Sequence, residues 1–578
     1  MNSIGKIRFI SRSRERFFSS PVEVIAAATV REVVPCLERV AAGVARGCHA
    51  AGFLTYEAAP AFDPAMRTQA PGPLPLLWFG LYRTMELSDM EPDRPARTFD
   101  VGKWTPLLST AAYRENIRRI RELIAAGDTY QVNYTFPLQT TFQGDARTWF
   151  DRLCAAQQAD YCAYIDLGRF RLLSASPELF FSLQGNTLET RPMKGTRPRG
   201  RRPDEDQSLA QALAASEKDR AENVMIVDLL RNDMARISEP DSVQVHSMYD
   251  VEAYTTVWQM TSTIRSQTRA TVPEIMRALF PSGSVTGAPK IRTMEIIREL
   301  EPGPRGIYCG TIGWWAPGGQ AEFNVAIRTV VIDTQSGQAR YDVGSGITYG
   351  SSAEDEYREC LDKASLLTRR EPEFELIETL RYNGGYLLLP EHLERLAASA
   401  KYFGFACARP ALEKALLETA VSASESERIV PLKVRLLLRK NSSFTIQKEP
   451  LAAPATLKVG FANQPVDTRD IFLYHKTTCR SMYQQALASR PDCDDVLLWN
   501  ERDEITESTI ANVVLELDDR RWTPPLASGL LAGTFRRQLL AQGAIAERVL
   551  SKEDVLRARA IFLVNSVRQW IPVRWVER

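Results

Sequence analysis

The sequence predicts a two-domain α/β protein, and three observations carry this. The chain has 578 residues, well beyond the ~100–200 that one core usually serves, and its 44% hydrophobic and 25% charged content is that of ordinary globular protein. Strand-like and helix-like apolar patterns follow one another along its whole length. A polar, proline-broken stretch, Arg369-Arg370-Glu371-Pro372-Glu373, then reads as a linker before a fresh pattern begins. The domains expected are residues 1–370 and 374–578.

Charge and cysteine usage narrow the class. Lys+Arg (72) and Asp+Glu (71) nearly cancel, so no global field draws the chain to nucleic acid or to an anionic membrane. Nine cysteines without a CxxC pair point to reduced thiols and a cytoplasmic setting. The basic, polar stretch from Met1 to Ser20 lacks the apolar run of a signal peptide, and nowhere do 18 apolar residues run uninterrupted. A spanning or exported chain is not expected.

In order along the chain, residues 1–110 mix short apolar runs with Pro/Gly clusters such as Pro71-Gly72-Pro73-Leu74-Pro75, which predicts strands and loops rather than long helices. Ile117, Ile120, Leu123 and Ile124 predict a helix over 111–127, with Gly127 as its stop. Strands are expected at 129–136, 161–165 and 179–183, helices at 207–230 and 272–279, and a strand pair at 306–315 and 322–333. Asp342-Val343-Gly344-Ser345-Gly346-Ile347 is a glycine-rich strand end where backbone can approach a ligand closely. A charged helix over 353–369 follows, then a strand at 374–380 and alternating helices and strands to the end.

The first chemistry lies in Arg191-Pro192-Met193-Lys194-Gly195-Thr196-Arg197-Pro198-Arg199-Gly200-Arg201-Arg202, read as a basic loop. Downstream, Asp219 and Glu222 share one helix face, and Glu356 and Glu359 share another. Two such pairs can bracket a hard cation such as Mg²⁺, which prefers oxygen ligands and keeps places for water and substrate. Together with Ala221-Glu222-Asn223, Arg231-Asn232-Asp233, the run Phe280-Pro281-Ser282-Gly283-Ser284-Val285-Thr286-Gly287-Ala288-Pro289-Lys290 and Gly344-Ser345-Gly346-Ile347, the Lys194-Gly195-Thr196 motif resembles the chorismate-utilising enzyme family over roughly residues 100–370.

That resemblance implies an α/β sandwich with large antiparallel sheets and a Mg²⁺-dependent site for chorismate. It assigns Glu222 and Glu359 as metal ligands, with Asp219 and Glu356 beside them. Substrate is held by Gly195, Thr196, Thr286, Tyr308, Arg328, Lys363 and the backbone at Gly344 and Gly346. Gln131 stands where water-adding relatives carry a lysine base, so the resemblance implies an ammonia user. Lys194 stands where anthranilate synthases typically carry a small residue, and resembles the aminodeoxychorismate synthase component I branch, in which the lysine is a covalent nucleophile. Glu178 matches the family's acid/base. A lysine at its ordinary pKa of ~10.4 is neutral in only ~1 molecule in 2,500 at pH 7, so activation needs a downward shift of about three units, roughly 4 kcal/mol; burial and the cations Arg191 or Arg197 are expected to provide it. Gln259 departs from relatives that carry histidine there, and a glutamine shuttles no proton at neutral pH. With four histidines and no Gly-x-Cys-x-Gly elbow, ammonia is expected from a separate glutamine amidotransferase subunit.

The second constellation joins Tyr474-His475-Lys476-Thr477-Thr478 to Glu507-Ser508-Thr509-Ile510-Ala511-Asn512, His392-Leu393-Glu394-Arg395-Leu396, Gly529-Leu530-Leu531-Ala532-Gly533-Thr534 and Val564-Asn565-Ser566-Val567-Arg568. As a set these resemble class IV pyridoxal phosphate enzymes over 374–578, implying a two-subdomain α/β fold and a homodimer through this half. The chemistry needs a lysine to carry pyridoxal 5'-phosphate, an acid for its ring nitrogen, and an arginine with backbone amides for its phosphate. The resemblance gives Lys476, Glu507 and Arg395 these roles, with Ser566 as a further phosphate donor. Class IV contains aminotransferases as well as aminodeoxychorismate lyase, and the fusion favours the lyase: a bifunctional route from chorismate to 4-aminobenzoate. An anthranilate synthase component joined to an aminotransferase remains the alternative. A nucleic-acid binder using the basic loop is disfavoured by the balanced charge.

Overall fold

The structure, a computed structural model, describes residues 5–11, 14–88, 97–368, 372–424, 431–452 and 455–576. It divides into two compact units, Met1–Arg199 with Leu209–Glu371, and Gly200–Ser208 with Pro372–Arg578. Residues 369–371 of the expected linker lie outside the described residues. No helix among the described residues is long and apolar enough to cross a membrane, and all nine cysteines are unbonded.

In the first unit two antiparallel sheets face one another. Among the described residues one has eleven strands, with Gln131–Gly144 between Gly287–Ala288 and Gln338–Ile347 near one edge. The other has ten, with Met193–Pro198 at one edge beside Val257–Gln267. Phe9, Ile165 and Leu172 of the first sheet pack with Phe53, Trp78 and Ile312 of the second, so one apolar layer lies between them. Helices cover the outer faces. Thr110–Ala125 and Ala146–Gln157 pack on Val132, Tyr134 and Phe136, while Val30–Ala45, Glu217–Ala235 and Val272–Leu279 pack on the other sheet. Because side chains alternate along a strand, burying Val132, Tyr134 and Phe136 under helices turns Gln131, Asn133 and Thr135 to the opposite face.

The second unit has two parts. Leu376–Tyr382, Leu432–Leu438 and Phe444–Pro450 form an antiparallel sheet with its core against Leu389–Phe403 and Arg409–Ser424. Among the described residues an eight-stranded sheet begins at Ile505–Ser508 and closes on itself when Glu507 pairs with Asn512, making a barrel.

Five expectations are corrected. Residues 30–45 form a 16-residue helix where only strands and loops were expected: the Thr29/Glu32 capping box starts it, Val33, Leu37, Val40 and Val44 bury one face, and Pro35 removes a single donor. The helix over 207–230 is two, Pro203–Ala214 and Glu217–Ala235, because the Ser216 hydroxyl accepts from Asp219 N at 3.3 Å and restarts the spiral. The charged helix after the glycine-rich strand ends at Ala364, with a 3₁₀ turn over Ser365–Leu367. The strand expected over 322–333 leaves one sheet after Val325 and joins the other at Thr329, turning at Arg328, whose φ is +52°. The basic loop contains a strand, Met193–Pro198.

Candidate active sites

The chain crosses between the facing sheets twice at one place. Ser176-Pro177-Glu178 carries it one way and residues 326–328 the other, tied by Val325 N to Glu178 O at 3.0 Å and Ala175 N to Arg328 O at 3.0 Å. Glu178 is thereby buried. Its carboxyl is pushed up to about 7, chiefly by burial, against Ser284, whose hydroxyl donates to Oε1 at 2.5 Å, and the charge of Lys194.

Lys194 projects from the edge strand. A methyl group on Gly346 would lie 2.9 Å from Lys194 Nζ and 2.1 Å from Gln131 Nε2, so both side chains converge on the bare backbone of the glycine-rich strand. Gln131 is buried and its Oε1 meets no donor. Burial lowers the Lys194 pKa; Lys363 lowers it further, while Glu222, Glu178 and Glu359 oppose both. Burial leads, as expected, but the cation beside it is not the expected Arg191 or Arg197. Arg191 is paired with Glu252 and Arg197 lies 4.0 Å from Asp219, so the cation acting on Lys194 is Lys363.

The backbone around Lys194 is braced. Gly195 has φ +94°, reached cheaply only by glycine. Gln259 donates from Nε2 to Gly195 O at 2.9 Å and accepts from the Thr196 hydroxyl at 3.0 Å. Gln259 thus holds the motif in place, and the Thr196 hydroxyl is engaged with it. The Thr286 hydroxyl likewise bonds back to Ser282 O at 3.1 Å.

On helix Ala353–Ala364, Lys363 donates to Gly344 O at 3.0 Å and pairs with Glu359 at 2.5 Å. Burial opposes ionisation of Glu359, but Lys363, Lys194 and Arg328 outweigh it and lower its pKa. Arg328 also bears on buried Tyr308, whose pKa is raised by burial. Glu222 is raised by burial and then by Asp219 and Glu356, against Lys194 and Lys218. Glu356 accepts from Ser351 at 2.6 Å. Crowded carboxylates of this kind suit a hard cation. No three His, Cys, Asp or Glu side chains among the described residues enclose an ion by themselves.

Sequence reasoning missed Ser284 as the partner of Glu178, and also Arg305. This buried arginine bonds Glu301 on two nitrogens and donates to Asn133 O at 2.6 Å and Val285 O at 2.9 Å. It locks the strand carrying Gln131 to the turn carrying Ser284 and Thr286. Its carbonyl partners, 20 and 172 residues away, leave no local signal.

In the second unit a cavity of about 320 Å³ is lined by Lys476, Glu507, Arg395, Arg480, Ser566 and Thr534, among others. Burial, with Arg395, lowers the Lys476 pKa to about 8. Burial raises the Glu507 carboxyl to about 7, although Tyr483 donates to it at 2.8 Å and Asn512 at 3.1 Å. Arg395 is no exposed helix residue: Glu378 accepts from it on both oxygens. The Ser566 hydroxyl reaches Thr379 O at 3.4 Å. A primary amine of lowered pKa, an acid, and an arginine beside the start of helix Thr534–Ala541 fit the amine-reactive ring and phosphate of pyridoxal phosphate. A Cβ on Gly533, at that helix start, would come within 2.0 Å of Asn512 Oδ1.

Comparison with known proteins bears on both halves of the chain. Aminodeoxychorismate synthase component 1 of Salmonella typhimurium is 41% identical over 264 residues, 45% of this chain and 58% of that protein. Anthranilate synthase component 1 of Streptomyces coelicolor is 40% identical over 264 residues, 45% of this chain and 51% of that one. The chain therefore spans little more than half the length of these relatives. The crystal structure of anthranilate synthase component I from Streptococcus pneumoniae superposes with a TM-score of 0.55 at 24% identity, covering 62% of this chain and 93% of that one, and shows the shared fold. Residues 375–576 match the amino-transferase class IV family. Residues 6–369, more than half the chain, match the chorismate binding enzyme family, and the protein belongs to it, with a class IV domain following.

Proposed function

We propose that the chain converts chorismate and ammonia to 4-aminobenzoate in two steps, one in each unit. The observation that carries the reading is Lys194: an amine of lowered pKa, converging with Gln131 on Gly346 and electrostatically coupled to the buried acid Glu178. Neutral Lys194 attacks C2 of chorismate. The C4–O bond breaks, and Glu178 gives its proton to the departing hydroxyl, which leaves as water. Ammonia then forms its bond at C4 as the bond from lysine to C2 breaks, and 4-amino-4-deoxychorismate results. Gln131 cannot deprotonate water, which supports ammonia as the entering group. Glu222 and Glu359, with Asp219 and Glu356 near, would hold Mg²⁺; the ion neutralises substrate carboxylate there. Tyr308, Arg328, Lys363 and the Gly344–Gly346 backbone face the substrate's anionic groups, and ammonia comes from a separate glutamine amidotransferase.

In the second unit, Arg395 with the start of helix Thr534–Ala541 and Ser566 would hold the cofactor phosphate, Glu507 its ring nitrogen and Lys476 its aldehyde carbon. Bound pyridoxal phosphate supplies an electron sink that acidifies the carbon bearing the substrate's amine. Lys476, whose pKa burial lowers to about 8, would be the base that takes the C4 proton. Pyruvate leaves as the ring becomes aromatic.

Chromatographic separation and mass analysis of the products from chorismate, ammonia, Mg²⁺ and pyridoxal phosphate test the reading. Para-aminobenzoate and pyruvate are expected in equal amounts; the ortho isomer would identify an anthranilate synthase instead.

A further inference from the structure

One buried carboxylate of the second unit takes part in no step above. Glu378, on strand Leu376–Tyr382, is 1% exposed. Its Oε1 accepts from Arg395 Nε at 2.9 Å and its Oε2 from Arg395 Nη2 at 2.7 Å, while Nη1 donates to Ala532 O at 3.0 Å. A guanidinium carries five N–H groups, so two remain on a side chain that lines the cavity. The same Oε2 lies 2.5 Å from His392 Nδ1. A carboxylate only accepts, so Nδ1 carries the hydrogen, and where the opposite ring nitrogen, 3.2 Å from Thr534 Oγ1, carries one too, it donates to that oxygen and leaves the hydroxyl hydrogen free for an anion. Thr534 opens its helix just after Ala532 and Gly533, and it too lines the cavity. One carboxylate therefore reaches both side chains at this end of the cavity, one directly and one through a single imidazole.

We propose that Glu378 is a positioning residue that aims the Arg395 fork and, through His392, the Thr534 hydroxyl at the phosphate of the cofactor. This rests on the pyridoxal phosphate reading above. Glu378 neutralises the guanidinium it holds, so its contribution is direction rather than charge: donors already aimed lose less freedom when an anion arrives. An apolar residue could fill the space at lower desolvation cost but could not orient the fork. Burial alone would raise the Glu378 pKa; Arg395 and His392 outweigh it and hold the group at about 2, so it is ionised throughout the working range.

Full-length wild-type and Glu378→Gln proteins, freed of cofactor by dialysis, are titrated with pyridoxal phosphate and separately with pyridoxal, which lacks the phosphate, following the visible absorption of the bound form. Loss of a charge-assisted bond should weaken pyridoxal phosphate about 10- to 100-fold and leave pyridoxal within about twofold. His392→Gln, which breaks only the branch to Thr534, should give a smaller loss confined to the phosphorylated form, and it decides the matter if Glu378→Gln does not fold. Equal losses for both ligands would make Glu378 a fold residue and overturn the proposal, as would unchanged affinity for pyridoxal phosphate. Wild-type protein that takes up neither ligand would instead overturn the cofactor reading, and the proposal with it.

Discussion

Lys194 and Glu178 are opposite solutions to one problem, keeping an ionisable group neutral. Burial disfavours charge on both, lowering the lysine and raising the acid to about 7. Their roles under the proposed function then set a pH profile. Attack needs neutral Lys194, so the rate rises with pH through its lowered pKa. Protonation of the leaving hydroxyl needs neutral Glu178, so the rate falls as pH passes about 7. Amination measured against free ammonia should be bell-shaped, and Glu178→Gln should remove the alkaline limb while slowing the reaction by ~10²–10⁴-fold. Lys194→Ala should abolish the covalent route, read as loss of 4-amino-4-deoxychorismate at saturating ammonia; an undiminished rate would exclude the lysine as nucleophile. Both residues were legible because each sits in a short motif. Ser284 and Glu378 were not, because a serine 106 residues from its acid, or a glutamate 17 residues from its arginine on another element, is bonded only after folding.

At the scale of elements, the first site depends on one strand edge that is kept bare. Gly346 pairs with Asn133 of the adjacent strand Gln131–Gly144, and its missing side chain is the space into which Gln131 and Lys194 reach. Gly346→Ala places a carbon 2.1 Å from Gln131 Nε2. Its backbone is not left-handed, so the fold should hold, while displacement of both side chains should lower kcat by about 10²-fold; thermal unfolding and steady-state kinetics on one preparation separate these effects. The glycine-rich strand end was visible in the sequence as a place of close approach. The reason for its bareness was not, since Gln131 and Lys194 come from strands of two different sheets. The same distinction explains the helix at 217–235. Its carboxylates at i and i+3 were readable, whereas the break before it is made by the Ser216 cap, one serine among many in sequence.

Over the whole molecule, Lys194 and Lys476 lie in separate units, and the proposed function gives them separate chemistry. Lys476→Ala should therefore stop pyruvate release but leave chorismate consumption intact, so that 4-amino-4-deoxychorismate accumulates; loss of both reactions would contradict independent sites. What the sequence by itself determined was the class of each half, and it singled out the groups to which the proposed function gives the chemistry. Lys194-Gly195-Thr196, Glu178, Lys476 and Glu507 stand in local patterns tied to particular chemistry, and the near-balance of charge disfavoured a polyanion partner. Only the tertiary structure decided what acts on those groups: Lys363 rather than Arg191 or Arg197 beside Lys194, Gln259 as a brace, Arg305 as a lock, and Glu378 behind Arg395. The physical reason is distance. A motif specifies which side chain is present, but a pKa, a hydrogen-bond direction and an excluded volume are set by neighbours in space, and those are brought together by the packing of two sheets and by the closing of a barrel.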